Sequence, residues 1–187
     1  MGRDSSNRYG TVAIALHWVI AALLIANLAL GLYFTGLQDK DPTRSFFSNT
    51  HKSIGLTVLL LSLARLVWRL GHKPPPAVGP LWSSLLARLV HGAFYLLLIA
   101  LPLAGWALVS VSPLNLPTHY FGLLSWPPIS FLHALPMATR RIDTKLFVFW
   151  HGALALLTAV LVVLHIAAAL WHRVRLKDGV LDRMLPR

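Results

Sequence analysis

The sequence predicts an all-α membrane protein, a four-helix transmembrane bundle with both termini cytoplasmic, on three observations. Of its 187 residues 56% are hydrophobic and only 12% charged, and the mean hydropathy is +0.64, a balance that fits poorly with a soluble domain. Four apolar runs, at about 11–34, 51–70, 82–110 and 145–172, are each long enough for a helix to cross a bilayer. The cations flank these runs instead of forming a patch beside aromatics, so the net charge of +11 reads as positive-inside topology and not as a nucleic-acid surface. A single transmembrane domain therefore occupies residues 1–187.

Residues 1–10 are a polar, basic lead. The first run, Thr11 to Phe34, is too long for the apolar core of a signal peptide and is read as a retained span; it carries His17 followed by Trp18. A polar connection leads to His51, which is expected in the first turn of the second span. That span holds Arg65 and stops at the proline-rich GHKPPPAVGP. The third span has His91 near its start and contains Pro102 and Gly105, both tolerated in membrane helices. A long connection from Val111 to Thr144, with aromatics and prolines, is expected on the membrane surface with a short interfacial helix. The fourth span contains His151 and His165, and a basic tail follows. No repeat of 20 to 50 residues is visible.

Topology follows from counting Lys and Arg. Eleven fall on the side of the termini (Arg3, Arg8, Arg65, Arg69, Lys73, Arg88, Arg173, Arg175, Lys177, Arg183, Arg187). Six fall on the other (Lys40, Arg44, Lys52, Arg140, Arg141, Lys145), which places the termini in the cytoplasm.

The absence of Cys excludes covalent haem attachment, iron–sulfur clusters and thiolate metal sites. The six acids are all Asp and lie outside the spans, so a proton relay of buried carboxylates lacks material. Any metal has to sit on histidine. His151 and His165 are fourteen residues apart, which on a helix places them within about 40° of one face and roughly 21 Å apart. Because neighbouring spans run antiparallel, His17 falls level with His165 in the cytoplasmic half, and His51 level with His151 in the outer half. Two stacked pairs of imidazoles could each hold one b-type haem edge-on between helices. Gly55, Gly152, Ala153, Ala155 and Ala159 would leave room for a porphyrin. The competing account of any one buried His is a hydrogen-bonding strut between helices.

Further candidates surround these pairs. His91, at the inner depth, is a rival ligand or a contact to a haem propionate. Arg65 is a partner for an inner propionate, against the alternative of snorkelling with Arg69 to lipid phosphates. His172, with Trp171 and Arg173, is a candidate edge of a quinone pocket, against an ordinary interface belt. His72, His119 and His133 lie in connections and are expected to be solvated.

The motifs ALHW at His17, THKSIG at His51, HGAFYLLLIALPLAGW from His91, FWHGALA at His151, LHIAAALWH from His165 and the tail KDGVLDRMLPR together resemble the prokaryotic cytochrome b561 family along the whole chain. The resemblance implies two non-covalent b haems with His17, His51, His151 and His165 as ligands, a place in the bacterial inner membrane, and electron exchange with ubiquinone. It also implies a possible outer-side substrate: one member of the family oxidises superoxide and reduces ubiquinone. Lys52, Arg140, Arg141 and Lys145 are then the cations that would attract such an anion. A second implied role is that of a haem-containing membrane anchor and electron conduit for a dehydrogenase or hydrogenase partner.

Overall fold

The computed structural model describes residues 8–76 and 79–186, so Arg3, Asp4 and Arg187 lie outside the described residues. Four helices are long and apolar enough to cross a membrane. Helix α1 (Thr11–Thr35) is an apolar run, interrupted by His17 and Asn27, between Gly10 and Gly36. Helix α2 (Arg44–Gly71) follows a turn in which the Asp41 carboxylate accepts hydrogen bonds from the Thr43 amide at 2.8 Å and hydroxyl at 2.6 Å. Those bonds hold the exposed Asp41 carboxyl below its ordinary range. His51 therefore sits two turns inside α2 and not in its first turn, as the sequence had suggested. The segment RSFFSNT, which lies outside the apolar run, continues the helix outward.

Helix α3 (Leu81–Val111) starts after Pro80 and accommodates Pro102. Two short strands come next, β1 (Thr118–Tyr120) and β2 (Leu124–Trp126), which pair antiparallel. Phe121 and Gly122 both take positive φ, 48° and 75°, and the Leu123 amide donates to the Tyr120 carbonyl at 2.9 Å. This is the turn geometry that suits a twisted hairpin. The short helix α4 (Ser130–His133) precedes helix α5 (Met137–Trp171), which starts directly after Pro136, earlier than the apolar run alone implies. The connection expected to hold one interfacial helix thus holds a hairpin as well. At the far end the chain passes through a π-helical turn, His172–Leu176, and a 3-10 turn, Leu181–Arg183.

Helix α1 packs on α2, α2 on α3, and α3 on α5. Ile20 and Leu24 of α1, Val58 of α2 and Leu98 of α3 form the buried centre, with Phe94 and Val162 against it. The helices run antiparallel, as contacts at the two ends establish. At one end, Arg8 donates to the Leu185 carbonyl at 2.7 Å, Trp18 to Met184 at 2.6 Å and Arg183 to Pro76 at 2.7 Å, so both termini and the α2–α3 link meet. At the other end the hairpin is latched to α2. The Asn49 amide donates to the His119 carbonyl at 2.6 Å and its oxygen accepts the His119 amide at 3.0 Å, as a strand neighbour would. One turn on, the Ser53 hydroxyl accepts the Phe121 amide at 2.9 Å, and Thr57 meets the Tyr120 hydroxyl at 3.0 Å.

Arg140 closes the outer end of α3. Its guanidinium donates to the carbonyls of Val111, at 3.1 Å, and Ser112, and to Asn115 Oδ1 at 2.6 Å. The last carbonyls of a helix have no partner within it, and a cation there also suits the helix dipole. Replacing Arg140 with Ala is expected to cost on the order of 2–4 kcal/mol, because buried acceptors lose a charged donor. Arg141→Ala should be near neutral. Thermal unfolding of the two variants in detergent checks this, and equal midpoints would count against the clamp.

Candidate functional site

Each of the four long helices carries a pair of residues fourteen positions apart: His17 and Gly31 on α1, His51 and Arg65 on α2, His91 and Gly105 on α3, His151 and His165 on α5. Fourteen residues nearly complete four helical turns, so the members of a pair share a face. Antiparallel packing sorts them into two tiers. Gly31, His51, Gly105 and His151 form the outer tier; His17, Arg65, His91 and His165 form the inner one.

In the outer tier the rings of His51 and His151 face each other, with centres 6.1 Å apart and planes at 85°. His51 Nδ1 donates to the Asn27 carbonyl of α1 at 3.1 Å, and His151 Nδ1 to the Leu101 carbonyl of α3 at 3.2 Å. Neutral imidazole has one donor nitrogen and one acceptor. Both rings are thereby held with Nε2 as the nitrogen that carries the lone pair. Phe34 packs against His51 at 5.3 Å.

In the inner tier His165 is the hub. Its ring lies 6.4 Å from that of His17, at 69°, and 6.0 Å from that of His91, at 72°, with Phe94 at 5.2 Å. The Arg65 guanidinium stands over the Tyr95 ring at 5.9 Å, and among the described residues it pairs with no carboxylate. A half-buried cation in a membrane helix calls for an anionic partner.

These spacings suit a shared metal. Two imidazoles on one metal, at a bond of about 2.0–2.1 Å and with about 1.2 Å from each nitrogen to its ring centre, put the centres roughly 6.4 Å apart. The pairs His17–His165 and His51–His151 both meet that value, with the two rings contributed by different helices. The donor set is of the kind that suits haem iron, which His17 with His165 or His51 with His151 would hold. His91 meets the distance as well, so it belongs to the inner tier as the sequence anticipated.

The glycines expected to admit a porphyrin behave differently from one another. A Cβ on Gly152 would meet nothing within 4 Å, and one on Gly55 would touch Asn27 Nδ2 at 3.5 Å, an ordinary contact. The tight positions are Gly31 and Gly105, which composition did not single out. The signal that could have found them is the fourteen-residue interval, which repeats on α1 and α3.

His172 opens the π-helical turn below the inner tier, and its Nδ1 contacts the Asp178 carboxylate at 2.5 Å. Lys177 and Gly179 take positive φ, 50° and 73°, which folds the tail back so that Asp178 can reach. Partial burial pushes the Asp178 carboxyl up, but the hydrogen bonds from His172 and the Val180 amide outweigh it and hold the group below its usual range. Trp171 is covered by Arg175 at 5.7 Å, and Arg173 pairs with Asp182 at 3.3 Å. The partner of His172 is thus an acid of the tail, which the sequence reading left unassigned.

The four outer cations do not form one group. Arg140 is 5% exposed and fully engaged in the clamp on α3, and Lys52 donates to the Pro117 carbonyl at 3.1 Å. Arg141 and Lys145 remain exposed. His72, stacked on Trp68 at 3.9 Å, and His119 and His133 are exposed and away from both tiers.

Residues 8–187 match the family described as prokaryotic cytochrome b561. The chain is 33% identical to cytochrome b561 homolog 2 of Escherichia coli (strain K12), covering 97% of this chain and 93% of that protein. It is 30% identical to cytochrome b561 homolog 1 of the same organism, over 97% and 98% of the two chains. A Yersinia pestis protein described as a probable superoxide oxidase, CybB, is 30% identical over 96% of this chain and 97% of its own.

A depressed carboxyl pKa contributes stability that is complete above the unfolded carboxyl's range and is lost as pH falls through the lower folded value. The tail contact made by Asp178 should therefore persist at mildly acidic pH and fail only in stronger acid. Limited proteolysis of residues 178–186 should show protection in the native chain at mildly acidic pH and faster cleavage in Asp178→Asn, in which the tail contacts of Arg8, Trp18 and Arg183 remain. Equal cleavage of both would refute the contact.

Proposed function

The chain belongs to the prokaryotic cytochrome b561 family and is a multi-pass bacterial inner-membrane electron-transfer protein that binds haem b. On that premise we propose that it is a dihaem oxidoreductase moving electrons from the periplasmic side to ubiquinone, with superoxide as the outer substrate. The observation that carries the reading is that α5 presents His151 and His165, fourteen residues apart, each with its ring close to that of a histidine on another helix.

His17 with His165 would hold the inner haem and His51 with His151 the outer one; each haem supplies a reversible one-electron couple. Arg65 would meet an inner propionate through charge-assisted hydrogen bonds, and His91 packs 6.0 Å from His165. At the inner surface His172 offers a ring nitrogen to a quinone carbonyl while Asp178 fixes its other nitrogen, an arrangement that can hold and pass a proton. Ubiquinone takes up two electrons, one from each of two superoxide anions that leave as dioxygen, and two protons from the cytoplasmic side. On the outer face the exposed Arg141 and Lys145 raise the local concentration of an anion. The name of the Yersinia pestis relative supports superoxide as the donor.

The purified protein is expected to contain two b haems per chain. His17→Ala and His165→Ala should lose the same haem, His51→Ala and His151→Ala the other, and His91→Ala neither, as read from haem stoichiometry and redox titration. A wild-type content of one haem, or loss on His91→Ala with retention on His17→Ala, would overturn the assignment. Stopped-flow mixing of the oxidised protein with superoxide, and of the reduced protein with quinone, tests the substrates. Both reactions should be fast, and Asp178→Asn should slow only the second. Inertness toward superoxide together with co-purification of a dehydrogenase would favour the conduit reading instead.

A further inference from the structure

One contact occurs twice in the outer tier with nearly the same dimensions. The His51 ring lies against Gly31 of α1, where an added Cβ would stand 3.0 Å from Cε1, 3.3 Å from Nδ1 and 3.9 Å from Nε2. The His151 ring lies against Gly105 of α3, where the corresponding distances are 2.9, 3.3 and 3.8 Å. In each case the carbonyl that accepts Nδ1–H belongs to the residue four positions before the glycine, Asn27 or Leu101. Ring and carbonyl thus meet in a notch one turn long that only the absence of a side chain leaves open.

We propose that Gly31 and Gly105 are positioning residues of the outer site. They admit the two imidazoles to the helix backbone so that Nδ1 is tied to a carbonyl and Nε2 is presented to iron. The proposal rests on the dihaem reading above. A carbon placed below about 3.5 Å from the ring edge enters the repulsive range, so the ring must retreat by several tenths of an ångström. Nδ1–O separations of 3.1 and 3.2 Å leave little room before the bond is lost. A ring held as a ligand cannot turn aside without moving its Nε2. No such notch serves the inner tier, where α1 and α3 contribute His17 and His91 at the matching positions. The consequence is electronic as well as steric. A hydrogen bond from Nδ1 makes the imidazole a stronger donor to the metal, which favours the oxidised state.

The test uses the full-length haem-loaded protein with Gly31→Ala, Gly105→Ala and, as a control, Gly71→Ala, where the added Cβ meets nothing within 4 Å. Haem stoichiometry, the potentiometric titration of each haem and the low-spin electron paramagnetic resonance signals are read together. Each of the first two variants should lose the outer haem in part, or shift its potential upward and alter its signal, while the inner haem and the control stay as in the wild type. Wild-type signals and potentials in both variants would overturn the proposal, and so would loss of both haems together in both variants, which marks a purely structural role. A wild-type protein without two haems would instead defeat the dihaem reading itself.

Discussion

The structure depends on one constraint: an imidazole ring taken into a membrane must spend its N–H on something, and among the described residues no buried acid is there to receive it. An unpaired polar group in hydrocarbon is costly. The outer tier solves the problem with backbone. His51 and His151 donate to carbonyls of the neighbouring helix that already close an intrahelical bond, using the second lone pair of the oxygen. The solution needs no polar side chain, so it leaves the helices apolar toward lipid. It demands instead that ring and helix approach more closely than a Cβ would permit.

From that demand follows much of the architecture. A ring can rest on a neighbouring helix only if the two pack side by side along their length, as α1 does with α2 and α3 with α5. The bundle is in this sense two helix pairs, each seating one outer histidine in the other member's notch. The fourteen-residue interval then carries the pattern to the second tier without a change of face. Helix α5 supplies a ring to both levels, and its stiffness sets the distance between them at roughly 21 Å, fourteen residues of helix rise.

Much of this was legible in the residues. Four spans, their polarity and the two levels of histidine follow from apolar length and antiparallel bookkeeping, and both pairs meet as the depth argument expected. The boundaries on the outer side were not legible, because hydropathy reports where lipid ends and not where a helix ends. Residues 44–50 and 137–144, outside the apolar runs, are helical all the same, after a Thr43 turn and a Pro136 start. The hairpin was hidden for a related reason: its bonds run to Asn49 and Ser53, some seventy residues away, and no local pattern encodes them. Glycines 31 and 105 were overlooked because a membrane helix contains glycine for many reasons. Only the position of a ring from another helix shows which ones matter.

The two ends of the bundle use their charges in opposite ways. Outside, Arg140 and Lys52 donate to carbonyls of the α3 end and the loop that follows, so these cations serve the shape of the lobe, while Arg141 and Lys145 stay exposed. Inside, acids and bases pair with each other across the folded tail, His172 with Asp178 and Arg173 with Asp182. Arg8 and Arg183 tie the tail to the start of α1 and to the α2–α3 link. A carboxylate that fixes one nitrogen of His172 leaves the other free beside the inner tier. A backbone clamp such as that of Arg140 offers no titratable group at all. The paired titratable groups His172 and Asp178 therefore stand at one end of the bundle and the Arg140 clamp at the other, with the two tiers of imidazole and Arg65 between them.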